Sequence, residues 1–266
     1  MARIAVAATA PFGADVLERL AAEHDVALLL TRPDKPRGRG RKLAATAAKE
    51  TAQRLGIPVA QPAKLDETIE IPAGTIVVAA YGLLIPDSLL SRGLWLNVHP
   101  SLLPRWRGAA PVERVLMAGD ERTGVTIHRT TPELDAGPVA AQEAFDIGPE
   151  DDAGAVYARS AEIAARLIGG VLPEPVFHEQ PSEGATYAEK ITAADRELDL
   201  TRPVREIVNH VRALSPHIGA RATVDGVPLA VWKVREADDG SLELLEVQPE
   251  GRKRMTYAEY RRGRRS

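Results

Sequence analysis

The chain is predicted to be an α/β protein: a Rossmann-like, mostly parallel sheet with helices on both faces, followed by a small second domain. Three observations predict this. From residue 3 to residue 169, short apolar runs rich in Val, Ile and Leu alternate with amphipathic stretches of helical period. Between residues 179 and 199 the chain turns polar and the periodicity lapses. Beyond that gap come one helical stretch, short strand-like runs and a last helix. The domain boundaries read as 1–180, a linker at 181–200 and a second domain at 201–266.

Taken in order, residues 3–8 read as a buried strand, 13–23 as an amphipathic helix and 25–30 as a second strand. Residues 42–55, rich in Ala and Lys, read as a helix. The β-branched run at 75–80 and the run at 94–98 suit buried parallel strands. Residues 108–118 read as a helix, with Pro111 in a first turn where its missing N–H costs nothing. Strands at 125–129 and 139–145 precede a long helix at 153–169. In the second domain, 203–214 reads as a helix, 222–224, 228–234 and 242–247 as strands, and a final helix starts at residue 256.

Composition excludes several kinds of chemistry. At 44% apolar residues, the 266-residue chain can bury a core. It has no cysteine, which rules out disulfides, thiolate nucleophiles and cysteine-ligated metals. His24, His128, His178, His210 and His217 are scattered without metal-ligand spacing, so no metal is expected. Neither G-x-G-x-x-G nor G-x-x-x-x-G-K-[ST] occurs. The N-terminus passes straight into a short strand pattern, too brief for a signal peptide or a membrane span. A cytoplasmic monomer without membrane contact is expected.

The net charge of -3 argues against a general nucleic-acid binder, but the charges are unevenly distributed. Arg32, Lys35, Arg37, Arg39, Arg41 and Lys42 crowd one Gly/Pro-rich loop that holds a single acid, Asp34. Arg252, Lys253, Arg254, Arg261, Arg262, Arg264 and Arg265 crowd the C-terminal tail. Two basic patches on a mildly acidic chain suit a polyanion held at defined points.

The most informative run is Asn97-Val98-His99-Pro100-Ser101-Leu102-Leu103-Pro104-Arg105-Trp106-Arg107-Gly108, followed by Leu134-Asp135-Ala136-Gly137. If 97–99 ends a strand, Asn97 and His99 point to one side, because side chains alternate with period two. Such an amide and imidazole can hold the oxygen of a carbonyl under attack, while the Asp135 carboxylate manages protons. Singly, each residue has an ordinary structural explanation, and only the ordered combination points to acyl transfer.

These motifs, with 32–43, 80–86, 124–127 and Thr186-Tyr187-Ala188-Glu189-Lys190-Ile191, resemble the 10-formyltetrahydrofolate-dependent formyltransferases. The resemblance covers most of the chain. It implies Asn97, His99 and Asp135 as catalytic residues and 10-formyltetrahydrofolate as co-substrate. It further implies a folate pocket lined by Ser101, Leu102, Leu103 and Pro104 together with Gly82, Leu83, Leu84, Ile85 and Pro86. The basic loop resembles that of the tRNA-directed members, so Arg37, Arg39, Arg41 and Lys42 are expected to contact an aminoacylated initiator tRNA. Arg39, between two glycines, is the expected discriminating residue. The implied function is formylation of the methionine amine on that tRNA.

The chain departs from the family pattern at Ala8-Thr9-Ala10-Pro11-Phe12 after the first strand and at Pro138 after the Asp135 motif. Its C-terminal domain resembles an OB-like barrel but has room for fewer strands, with the basic tail as a substitute tRNA contact. Two alternatives share the fold: a sugar-nucleotide N-formyltransferase, which needs no basic loop, and a tRNA-binding protein without turnover.

Overall fold

The computed structural model of the protein describes residues 1–37 and 42–264. β1 (Arg3–Ala8) and β2 (Asp25–Leu30) flank α1 (Pro11–Glu23), and both strands lie where their apolar runs predict. Pro11 opens α1 two residues earlier than expected. A Cβ on Gly13 would strike the Ala79 carbonyl, so glycine lets α1 close onto the sheet.

β3 (Lys35–Arg37) and β4 (Lys42–Ala44) form an antiparallel hairpin, with Arg37 opposite Lys42. α2 (Ala47–Arg54) is therefore shorter than the predicted helix at 42–55. Thr46 sets its start: its hydroxyl accepts the Lys49 N–H at 3.1 Å. The residues before the cap belong to the hairpin ladder, which their helical propensity does not override.

β5 (Val59–Ala60), β6 (Thr75–Ala79), α3 (Asp87–Leu90), β7 (Leu94–His99), β8 (Arg107–Gly108) and α4 (Pro111–Ala118) follow. β5 and α3, of 2 and 4 residues, are too short to carry a periodic signal. β9 (Arg122–Arg129), β10 (Val139–Asp146), α5 (Ala153–Val171), β11 (Tyr187–Ala188) and a 3₁₀ turn at Ala194–Arg196 come next. α6 (Val204–Leu214), β12 (Ala220–Val224), β13 (Val227–Glu236), β14 (Leu242–Pro249), β15 (Met255–Thr256) and α7 (Tyr257–Gly263) complete the order.

The chain forms two compact units. The first takes residues 1–107, 124–144 and 158–186; the second takes 108–123, 145–157 and 187–266. The first is built on a 7-stranded sheet in the order β10-β9-β7-β6-β1-β2-β5. β7, β6, β1, β2 and β5 run parallel, and β9 joins β7 antiparallel. Leu28, Leu30, Ile76 and Trp95 anchor part of its core. The Trp95 indole, 2% exposed, donates to the Leu89 carbonyl at 2.9 Å and so keeps its polar atom satisfied. Because β6 and β7 are parallel neighbours, the segments after them leave the same carboxyl edge of the sheet.

In the second unit β12, β13, β14 and β15 form a 4-stranded antiparallel meander. The shortened barrel expected from the sequence takes this form. Val211 and Leu214 of α6 bury against Ala220, Val231 and Val234, and Tyr260 of α7 covers Leu229 and Val247. Thr256 and Glu259 close a capping box at the start of α7. Among the described residues, no helix is long and apolar enough to cross a membrane.

Candidate active site

β7 brings Asn97 and His99 to the same face, and the β7–β9 register sets His128 directly opposite Asn97. Asp135 reaches the pair from the loop between β9 and β10. The Asn97 amide nitrogen donates to Asp135 Oδ1 at 3.1 Å and to His128 Nε2 at 3.0 Å. A carboxylate only accepts, which fixes the amide orientation and commits both of its hydrogens. His128 Nδ1 lies 3.0 Å from the Arg129 carbonyl and must donate to it, so Nε2 is left as the acceptor for Asn97.

His99 is assigned by the same reasoning. Its Nε2 donates to the Trp106 carbonyl at 2.8 Å, leaving Nδ1 facing Asp135 Oδ2 at 3.6 Å. Burial pushes the His99 pKa below its ordinary 6.5; the Asp135 charge and the Trp106 carbonyl oppose this, and His128 adds to it. At neutral pH His99 is therefore an uncharged ring with a lone pair directed at the carboxylate. The arrangement can pass a proton between Asp135 and Nδ1, and it can present an amide donor to a developing oxyanion.

Two left-handed residues shape the site. Asp135 sits at φ 49 and Trp106 at φ 64, conformations that cost non-glycine residues about 1 to 3 kcal/mol each. Thr186 holds the second: its hydroxyl accepts the Trp106 N–H at 2.9 Å and its carbonyl accepts the Arg107 N–H at 2.9 Å. This gives the Thr186 motif a physical task, since the Trp106 carbonyl fixes the His99 ring. Gln180 holds the first, donating from its amide to the carbonyls of Asp135 and Gly137, each at 2.8 Å. A Cβ on Gly137 would strike the Arg129 carbonyl, so this turn requires glycine.

The residues expected to line a folate pocket divide by role. Ser101 is fully buried and its hydroxyl donates to the Arg105 carbonyl at 2.7 Å, closing a turn. Leu103 is buried; its N–H donates to Thr126 Oγ1 at 3.2 Å and its carbonyl accepts from Gln142 at 3.0 Å. Leu102 and Pro104 are half-buried. Gly82 lies just beyond the end of β6, Leu83 and Ile85 pack on the core, and Pro86 precedes α3. Leu84 stands 91% exposed. Exposed Leu84 and half-buried Leu102 and Pro104 offer apolar surface beyond the same sheet edge, which fits a flat ring system.

Arg39 and Arg41 lie outside the described residues. Arg37 and Lys42 are backbone partners in the β3–β4 hairpin, the pair next to the connecting residues. Asp34, the one acid of this loop, is bound by Lys49 Nζ at 2.7 Å and Gln61 Nε2 at 2.7 Å, and these contacts hold its carboxyl below the usual range. It anchors the base of the loop. In the tail, Arg254 stacks over Trp232 at 3.8 Å and Arg261 lies 3.7 Å from Asp225. These two arginines thus serve the second unit itself. Among the described residues, no cluster of three or more His, Asp or Glu could hold a metal.

Sequence reasoning missed His128 and Gln180. The sequence places His128 at the end of the run Gly124-Val125-Thr126-Ile127-His128, in phase with Thr126, but gives it no role in the site. Gln180 carries no local signal. The resulting cluster sets an amide donor, two imidazoles and a carboxylate side by side, groups able to stabilise an oxyanion and to move protons.

Comparison with known proteins agrees. The family described as formyl transferase matches residues 2–172, and the formyl transferase C-terminal domain matches residues 190–239. The chain belongs to the formyl transferase family. The methionyl-tRNA formyltransferase of Cereibacter sphaeroides is 38% identical, covering 95% of this chain and 93% of that protein. Among solved structures, methionyl-tRNA formyltransferase from Clostridium thermocellum has a TM-score of 0.67 at 14% identity, covering 94% of this chain and 99% of that one. An N-formyltransferase from Helicobacter canadensis, in complex with folinic acid and dTDP-3-aminofucose, has a TM-score of 0.66 at 15% identity and covers 96% and 99%. At such identities the two structures speak for the fold alone.

Proposed function

We propose that the chain transfers the formyl group of 10-formyltetrahydrofolate to the amino group of methionine on initiator tRNA, for translation initiation. The observation that carries the chemistry is the convergence of Asn97, His99 and Asp135 at one edge of the sheet. The acceptor is supported by similarity along nearly the whole chain to a protein named methionyl-tRNA formyltransferase.

In this reaction the amine nitrogen bonds to the formyl carbon, the bond from that carbon to the folate nitrogen breaks, and one proton passes from amine to folate nitrogen. Asp135, with His99 Nδ1 beside it at 3.6 Å, takes the proton and returns it. Asn97 swings one N–H from Asp135 to the formyl oxygen as negative charge develops there. Losing one such donor costs about 10²–10³ in rate. The folate rings lie along the 82–86 and 101–104 segments.

In function the chain divides at 181–200. Residues 1–180 carry the transfer site, and 201–266 with the basic tail add contacts to tRNA. Arg37, Arg39, Arg41 and Lys42 contact acceptor-stem phosphates and the end base pair, with Arg39 discriminating. The enzyme acts as a cytoplasmic monomer.

The test is formyl transfer from 10-formyltetrahydrofolate by the wild type, Asp135→Ala and Arg39→Ala. We expect turnover on methionyl initiator tRNA, its loss by about 10²–10⁴ in the first variant, and weaker initiator preference in the second. Turnover on sugar-nucleotide amines with none on tRNA would replace the acceptor, and no turnover on either would leave a binding protein.

A further inference from the structure

We infer that Gln180 is a positioning residue that acts through Asp135, holding the left-handed turn that aims the carboxylate. The inference rests on the reading of Asp135 as the proton carrier. Gln180 is half-buried, and every hydrogen-bonding group of its side chain is engaged. Its nitrogen donates to the Asp135 and Gly137 carbonyls, each at 2.8 Å. Its oxygen accepts from Arg107 Nε at 3.2 Å and Nη2 at 2.8 Å. Carbonyls only accept and a guanidinium only donates, so the amide orientation is unambiguous.

The fold delivers this residue from outside the catalytic motifs. After α5 the chain returns along β10, where His178 and Val139 exchange backbone hydrogen bonds of 2.7 and 2.9 Å. Gln180, two residues on, then spans the turn from Asp135 to Gly137. Behind it lies Arg107, only 8% exposed, fixing the amide from the far side. The turn needs such a clamp, because Asp135 at φ 49 occupies a region that non-glycine residues leave readily. Its carboxylate must also stay 3.1 Å from the Asn97 amide and 3.6 Å from His99. A displacement of about 1 Å at a reacting group costs on the order of 10² in rate.

Gln180→Glu isolates this task. It keeps the size and gains an ion pair with Arg107, but it replaces both donors with an acceptor facing two carbonyls. Gln180→Met removes the donors without adding charge and covers the case in which the first variant fails to fold. Formyl transfer is measured at saturating and limiting 10-formyltetrahydrofolate and methionyl initiator tRNA, with thermal unfolding in parallel. We expect kcat to fall about 10–100-fold with both KM values within about twofold of the wild type. In the Asp135→Ala background the same substitutions should cost nothing further, because a residue acting only through Asp135 has nothing left to position. An unchanged kcat, or the full loss repeated on top of Asp135→Ala, overturns the inference. Asp135→Ala as active as the wild type overturns instead the reading of Asp135 beneath it.

Discussion

Asn97 Nδ2 and His128 Nε2 are 3.0 Å apart, joined directly across the antiparallel β7–β9 register. With Nδ1 donating to the Arg129 carbonyl, His128 can only accept at Nε2. It therefore turns the amide so that its second hydrogen points at Asp135. A residue with no assigned part in the chemistry sets the direction of a donor that has one.

His128→Leu should consequently lower kcat by about 10-fold or more by leaving the Asn97 amide without one acceptor. The site is buried, 1% exposed, so an apolar replacement of similar bulk should leave the fold intact. Steady-state formyl transfer alongside far-UV circular dichroism checks this. Wild-type kcat in a folded variant would mean that Asn97 is oriented by Asp135 alone.

The buried ring of His99 predicts a pH dependence of stability. Its pKa in the folded protein is pushed below 6.5 by burial, so on acidification the unfolded chain takes up the proton first. The stability this group contributes is complete above about pH 6.5 and is lost as the pH falls toward the folded value. Urea unfolding across that window should show a shallower loss in His99→Gln than in the wild type. Parallel curves would show that the ring does not resist protonation.

Thr46 is placed to begin α2, and Thr46→Ala should destabilise the protein by about 1 kcal/mol through loss of the cap. Its hydroxyl also lies 2.8 Å from that of Thr31, so Thr46→Ser should recover most of the loss. Chemical denaturation midpoints measure both. No difference between Ala and wild type would mean that the Lys49 N–H finds water as good a partner.

Much of this was legible in the chain. The apolar runs at 3–8, 25–30 and 75–79 became the centre of the sheet, because a strand buried on both faces needs little beyond continuous hydrophobicity. Asn97 and His99 were readable as a pair, because period-two alternation is a local rule. Asp135 was named from the Leu134-Asp135-Ala136-Gly137 motif, and the close approach of the Arg129 carbonyl explains the glycine two residues on.

Elsewhere local rules were insufficient. Residues 42–44 have helical composition yet pair with 35–37, since the hydrogen-bond ladder and the Thr46 cap outweigh a propensity of a few tenths of a kcal/mol per residue. The fully buried Ser101 donates its hydroxyl to the Arg105 carbonyl, a turn contact that no local pattern announces. Leu83 and Ile85 turn to the core while Leu84 between them faces solvent, a distinction invisible in three consecutive apolar residues.

The sequence by itself determined the α/β class and the strand that carries Asn97 and His99, each encoded in residues close together along the chain. Asp135, 38 positions from Asn97, was joined to them through the motifs shared with the family and not through a local rule. Only the tertiary structure decided that His128 and Gln180 belong beside them and what holds Asp135 at a positive φ. These depend on strand register and on hydrogen bonds between residues 31 to 45 positions apart, separations at which a linear pattern has no period to follow.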